Sequence, residues 1–311
     1  MDVFSPLIIF SLLMLFLEVK SDSSHIGYTE LDGPDKWNGT CRTGKRQSPV
    51  DIQASSIVWD STLPRMHFVN YGVTSGRLFL TNDGHSILVN GFDKWGQDQP
   101  YVYGGPLSTE YFLTAFHFHW GLDAANGSEH TIGTLHYPGE IHFVHRKKGL
   151  TDNGILQSDS ITVLGVFIAL GDDPKGFQPL ENAIQEVIDT PGKSTTLQSS
   201  SLMDLLPNNV ATFYTYEGSL TTPGCNEVVT WVVFTDPISV TPEQMNLLRQ
   251  TIITYDHKPG INYRPAQPLN GRKIRFRPAT KVNSMASRTV CGFSLIAVLL
   301  SALAASTSAA F

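Results

Sequence analysis

Two long apolar runs limit what this chain can fold into more than any other feature. "ITVLGVFIAL" from Ile161 and "EVVTWVVF" from Glu227 are rich in β-branched residues, and each is predicted to be a strand buried on both faces. Such strands belong at the centre of a sheet, so the chain reads as mainly β. "RLFLTNDGHSILVNGF" from Arg77 alternates in two arms around Asn82, Asp83 and Gly84, residue types suited to a tight turn, and predicts a hairpin. Helices are few. "LENAIQEVI" brings Leu180, Ala183, Ile184, Val187 and Ile188 to one face at helical spacing. "TPEQ" from Thr241 opens a second helix with an N-cap, a proline in the first turn and Gln244 to close a capping box. Both read as peripheral struts.

A further strand pattern carries chemistry. In "FHFHWG", residues 116–121, side chains alternate between faces, so His117 and His119 share one face and Phe116 and Phe118 the other. Two histidines satisfied separately by hydrogen bonds would give the same pattern, so a metal site requires a third ligand. Downstream, "GSEHTIGTLHYPGEIHFVH" supplies four more histidines and two glutamates. If "GEIHFVH" is a strand, Glu140, His142 and Val144 point one way and Ile141, Phe143 and His145 the other. Neighbouring strands lie about 4.8 Å apart, so one histidine from an adjacent strand can meet the pair around a single ion. Three imidazoles suit zinc at about 2.0–2.1 Å and leave a fourth position open for water, which is the arrangement of a catalytic site.

The two ends of the 311-residue chain do not read as part of this fold. Residues 1–20, "MDVFSPLIIFSLLMLFLEVK", have the apolar core of a secretory signal. The other end is uncharged from Val290 onward, diluted by Ser and Ala, and preceded by the small residues Asn283, Ser284 and Ala286. That pattern favours a signal for a glycosylphosphatidylinositol (GPI) anchor over residues 284–311, with Ser284 as the attachment site. The alternative, a single C-terminal transmembrane helix, would want about 20 strongly apolar residues and basic cytoplasmic flanks. The implied location is the extracellular face of the plasma membrane. Cys291 lies in the tail, which leaves Cys41 and Cys225 as an even pair. A disulfide is the default on an oxidising route, and two unpaired buried thiols are the alternative in a reducing one. "NGT" at Asn38 and "NGS" at Asn126 are N-glycosylation acceptors if exposed. Residues 21–283, roughly 260 in number, suit one large β-rich domain. A formal net charge of -6 without a basic cluster argues against nucleic acid as a partner and leaves small-molecule chemistry.

In this order, "FHFHWG", "GSEH", "EIHFVH" and "GSLTTP" resemble the α-class carbonic anhydrases, and "RQSPVDI", "NDGH", "VLGVF", "FQPL" and "YRPAQPLNGR" extend the resemblance from about His25 to Arg277. Signal, tail and cysteine pair are similar to those of the extracellular, membrane-anchored members. The resemblance implies an α+β, mainly β single domain around a large, twisted, mostly antiparallel central sheet of about ten strands with a few peripheral helices. It implies a zinc enzyme that hydrates carbon dioxide reversibly to bicarbonate and a proton and is inhibited by sulfonamides and anions. The alternative is a catalytically weak member of the same fold that acts as a recognition domain.

Residue by residue, the resemblance makes His117, His119 and His142 the zinc ligands. Three neutral ligands leave the ion's charge largely unneutralised, which brings the pKa of a bound water near 7. Thr221 matches a threonine that donates to Glu129 and thereby orients the attacking oxygen, and Thr222 matches a neighbour that contacts bicarbonate. Val144, Val163, Leu220 and Trp231 match the apolar wall where carbon dioxide rests. Glu140 matches the carboxylate that orients His142, and His130 a buried structural histidine near Glu129. His85 matches the proton shuttle, with Tyr28, Asn82 and Asp83 similar to residues that order the connecting waters. The chain departs from the family at Ala115, where a glutamine usually holds the first ligand, and at Leu88, where the cavity rim is usually polar.

Overall fold

The two apolar runs lie side by side: strands Ile161–Leu170 and Val229–Phe234 pair in parallel, with Val163 opposite Trp231. They occupy the middle of a 13-stranded sheet in this computed structural model, which describes residues 27–150, 156–198, 200–253 and 259–279. The signal reading of residues 1–20 and the anchor reading of residues 284–311, Ser284 included, lie outside the described residues.

The main path of the sheet has ten strands, in the order Ser194–Gln198, Arg77–Asn82, Ile87–Asn90, Tyr111–Trp120, Gly139–Lys147, Ile161–Leu170, Val229–Phe234, Phe213–Gly218, Ile274–Arg277 and Ile57–Trp59. Most neighbours are antiparallel. The parallel exceptions join Ile161–Leu170 to Val229–Phe234 and to Ile238–Val240, and Ile274–Arg277 to Ile57–Trp59, so the sheet is mixed. The predicted hairpin forms as Arg77–Asn82 against Ile87–Asn90, closed at Asn82 opposite Ile87 with Gly84 at φ 85°.

Each face of the sheet has its own apolar cluster. Phe116, Phe118, Ile141, Phe143, Leu164, Val166, Val232 and Phe234 belong to the larger one, which the helix Gln178–Val187 covers through Leu180, Ala183, Ile184 and Val187. Helix Pro242–Gln250 starts with the predicted capping box between Thr241 and Gln244 and buries Met245 and Leu248. Among the described residues no helix is long and apolar enough to cross a membrane. Val163, Phe167, Val229, Trp231 and Val233 form the second cluster on the opposite face.

One irregularity sets the faces of the histidine strand. Its register against Gly139–Lys147 shifts between Leu113, opposite His145, and Ala115, opposite Val144, which makes Thr114 the extra residue of a β-bulge. Strict alternation would put Leu113 on the face of His117. The bulge instead sends Tyr111 and Leu113 into the large cluster with Phe116 and Phe118.

Candidate metal centre

His117 and His119 project from Tyr111–Trp120, and His142 from its neighbour, where it pairs directly with His117. One ring nitrogen from each of the three lies within 4.8 Å of the others. His119 and His142 are buried and His117 partly so. The remaining nitrogens of the two buried rings are taken. His119 Nδ1–H donates to the main-chain carbonyl of Asn262 at 2.7 Å, which leaves its Nε2 buried without a hydrogen-bond partner. His142 Nε2–H donates to Glu140 Oε1 at 2.8 Å, which leaves its Nδ1 for the centre. Burial lowers the pKa of His117 and His119 to about 3 and that of His142 to about 4, so the rings are neutral, the form that ligates. An orphaned buried nitrogen is costly unless something binds it, and converging neutral imidazoles fit a tetrahedral zinc ion.

Glu140 is buried and holds its orientation through several donors. Its Oε2 accepts the main-chain N–H of His130 at 2.8 Å, and its Oε1 accepts from His130 Nδ1 at 2.7 Å as well as from His142. Burial would raise its pKa, but the His130 and His142 rings beside it and the hydrogen bonds they donate together outweigh that and hold the carboxyl well below the usual range. His130 therefore serves Glu140 directly, rather than the adjacent Glu129 near which the sequence sets it. Its Nε2 lies 2.7 Å from Tyr216 Oη, which is 3.0 Å from Ser48 Oγ.

Glu129 is buried with Oε1 accepting the Arg264 main-chain N–H at 2.8 Å. Burial raises its pKa well above the ordinary value, and Thr221 acts to lower it, although Oε2 is left without a partner in hydrogen-bond geometry. A cation among the nearby imidazoles would favour the ionised form. Thr221 is buried and Thr222 partly so on a turn closed by Cys225 N–H donating to Thr222 O at 2.9 Å. The Cys41–Cys225 disulfide is present and anchors that turn, where Cys225 takes a positive φ of 42°.

Val144, Val163 and Trp231 stand in one row across three neighbouring strands, and Leu220 packs on the same cluster. The Trp231 ring lies 4.8 Å from that of His142. Leu88 pairs with His117 in register, and Ala115 with Asn90. No hydrogen bond to the His117 ring is found among the described residues, which agrees with the missing amide at Ala115.

His85 follows the hairpin turn, half-buried, with Nδ1 buried and unpartnered. Asp83 Oδ1 accepts the main-chain N–H groups of His85 and Ser86 at 2.8 and 2.7 Å, so one of its oxygens is committed to the turn. The water-ordering role inferred for Asn82 does not fit its surroundings. Its fully buried amide donates to the main-chain carbonyls of Ile252 and Val187 at 2.8 and 3.3 Å and accepts from Gly84 N–H, which makes it a strut of the hairpin. The Tyr28 hydroxyl is held protonated by burial first and then by the negative charges of Glu129 and Asp83, and its ring packs edge-on against Trp37 at 5.7 Å. Asn38 and Asn126 are both exposed.

Asn262 and Gly165 went unnoticed in the sequence. Asn262 directly precedes the "YRPAQPLNGR" stretch, and Gly165 is the glycine of "VLGVF". A lone asparagine in an irregular segment and a lone glycine in a strand carry no metal signal of their own.

Comparison with known proteins agrees with this geometry. The chain is 40% identical over 308 residues to putative carbonic anhydrase 5 of Caenorhabditis elegans, covering 97% of this chain and 98% of that protein. It is 38% identical over 255 residues to putative carbonic anhydrase 3 of the same organism, covering 81% of this chain and 97% of that protein. With carbonic anhydrase 1 of Mus musculus it shares 37% identity over 262 residues, 81% of this chain and 98% of that protein. The sequence model of eukaryotic-type carbonic anhydrase matches residues 32–278, and the chain thus belongs to the eukaryotic-type carbonic anhydrase family.

Proposed function

We propose that this protein is a zinc enzyme that hydrates carbon dioxide to bicarbonate and a proton. The convergence of His117, His119 and His142, with Asn262 O and Glu140 taking the outward nitrogens of two of them, carries the reading. Zinc held there supplies a Lewis acid that ionises a water near neutral pH. The histidines hold the ion through neutral nitrogens, and Glu140 keeps the His142 ring from turning. Thr221 lies close enough to Glu129 to lower its pKa, and a bond donated to that carboxylate, which can only accept when ionised, would leave the threonine oxygen to accept from the attacking water and aim its lone pair. Val144, Val163, Leu220 and Trp231 offer a small apolar substrate a dry wall beside the metal, and Thr222 contacts the bicarbonate product. His85 carries the released proton outward along water that Tyr28 and Asp83 help to order. Sulfonamides and small anions would inhibit by competing at the ion.

The location proposed for this activity is the extracellular face of the plasma membrane. A signal-like stretch over residues 1–20, the disulfide, the exposed acceptor sequences at Asn38 and Asn126, and the anchor-like tail with Ser284 as its attachment site support this reading. Stopped-flow hydration by the purified protein, with zinc content measured and with a chelator added, tests the activity. Turnover that tracks zinc is the expected result. Absent or chelator-insensitive turnover would leave a recognition domain on the same fold.

A further inference from the structure

The pairing of Ile87–Asn90 with Tyr111–Trp120 begins at Leu88 opposite His117, so the main chain of Phe118, between the two ligand histidines, faces the His85 loop rather than a strand. The Ser86 hydroxyl takes both of its groups, donating to Phe118 O at 2.5 Å and accepting from Phe118 N–H at 3.1 Å. Asn262 makes a second tie. Its Nδ2 donates to His85 O at 2.9 Å and to Phe118 O at 2.8 Å, while its Oδ1 accepts from Trp120 N–H at 2.7 Å. Ser86 is 6% exposed and Asn262 fully buried, so water does not replace these bonds cheaply. The loop before His85 is closed by Asp83 on itself, which makes it a stiff unit. Its position relative to the ligands is then set by these side chains.

We propose that Ser86 and Asn262 form a clamp that fixes the His85 loop against the ligand-bearing strand, and that both are positioning residues for proton export. The proposal rests on the reading of the site as a carbon dioxide hydratase with His85 as shuttle. Water-bridged proton transfer depends on the gap between donor and acceptor, and the clamp spans that gap from the loop to the residue between two ligands. Substrate capture does not depend on it, since the apolar wall and Thr221 lie on other strands and turns.

The test uses zinc-loaded enzyme and the variants Ser86→Ala, Asn262→Ala and His85→Ala. Amide exchange should be about tenfold faster at Phe118 in Ser86→Ala, since one buried bond to its N–H is gone. In dilute buffer kcat should fall about three- to tenfold while kcat/KM stays within about twofold, and added imidazole should restore kcat. Asn262→Ala, at a residue whose carbonyl also holds His119, should speed amide exchange at Trp120 and is read together with its zinc content, while Ser86→Ala carries the kinetic test. If Asn262→Ala fails to fold or to keep zinc, Ser86→Ala decides alone. Unchanged kcat in dilute buffer for Ser86→Ala, or kcat and kcat/KM falling together without imidazole rescue, overturns the clamp. A wild type without turnover overturns the hydratase reading with it, and a His85→Ala variant as fast as wild type overturns the shuttle. A slow His85→Ala beside an unaltered Ser86→Ala condemns the clamp alone.

Discussion

Gly165 faces His142 across neighbouring strands, and a methyl group on Gly165 would sit 3.0 Å from Glu140 Oε1, the atom that holds the His142 ring. The glycine keeps open the space in which that carboxylate lies. Gly165→Ala should therefore shift Glu140 and weaken zinc binding by about tenfold, the lower end of what loss of an orienting partner costs. Competition with a chromophoric chelator reads this directly, and unaltered zinc affinity would show that the carboxylate accommodates the methyl.

Binding and chemistry should separate between His117 and Thr221. His117→Ala is expected to lose both zinc and turnover, because two imidazoles make a much poorer site. Thr221→Ala should keep zinc and lose on the order of a hundredfold in rate, as befits an orienting hydrogen bond in the reaction. Equal loss of zinc in the two variants would contradict the roles assigned here.

The Cys41–Cys225 bond closes a separation of 184 residues and braces more than the chain termini. Arg264 donates to Cys41 O at 3.0 Å through Nη2 while its main-chain N–H holds Glu129. Removing the bond with Cys41→Ser and Cys225→Ser should cost about 5 kcal/mol by the loop-entropy estimate. Urea unfolding checks the value; mass mapping that finds both thiols free in the native protein would remove the premise.

Acid should destabilise the fold before its carboxylates titrate. Burial holds His145, hydrogen-bonded to Tyr71 in the large apolar cluster, at a pKa of about 3, and in the zinc-free protein it holds the three ligand histidines at about 3 to 4. Unfolded histidines titrate near 6.5, so between about pH 6.5 and 4 the unfolded chain takes up protons that the folded chain refuses. This stability is complete above about pH 6.5 and falls as the pH drops, by at most about 1.4 kcal/mol per histidine per pH unit. Glu129, raised by burial, opposes the trend as a single group. Urea midpoints at pH 7.5 and 5 should differ accordingly, and nitrogen NMR should show the His145 ring still neutral at pH 5. A flat profile with a protonated ring would refute this.

A phospholipase specific for glycosylphosphatidylinositol should release the activity from intact cells if Ser284 carries the proposed anchor. Activity that stays with the membrane while a control anchored protein is freed would favour a transmembrane tail.

The elements of this fold are local in origin, and the sequence determined them. Buried runs of β-branched residues had no other stable fate than central strands, and "TPEQ" capped its helix through bonds only three residues apart. Period-two alternation also sufficed to put His117 with His119, and Glu140 with His142, because those pairs lie within one unbroken stretch of strand. Only the tertiary structure decided what came from far along the chain or broke the period. The bulge at Thr114 reverses the face of Leu113, and bulges answer to cross-strand packing rather than to local propensity. The acceptor for His119 comes from Asn262, 143 residues away, through a main-chain carbonyl that every residue type possesses. Asn82, which reads as a cavity residue beside the turn, is withdrawn instead to the main-chain carbonyls of Ile252 and Val187, far along the chain, because a buried amide must find partners inside the protein.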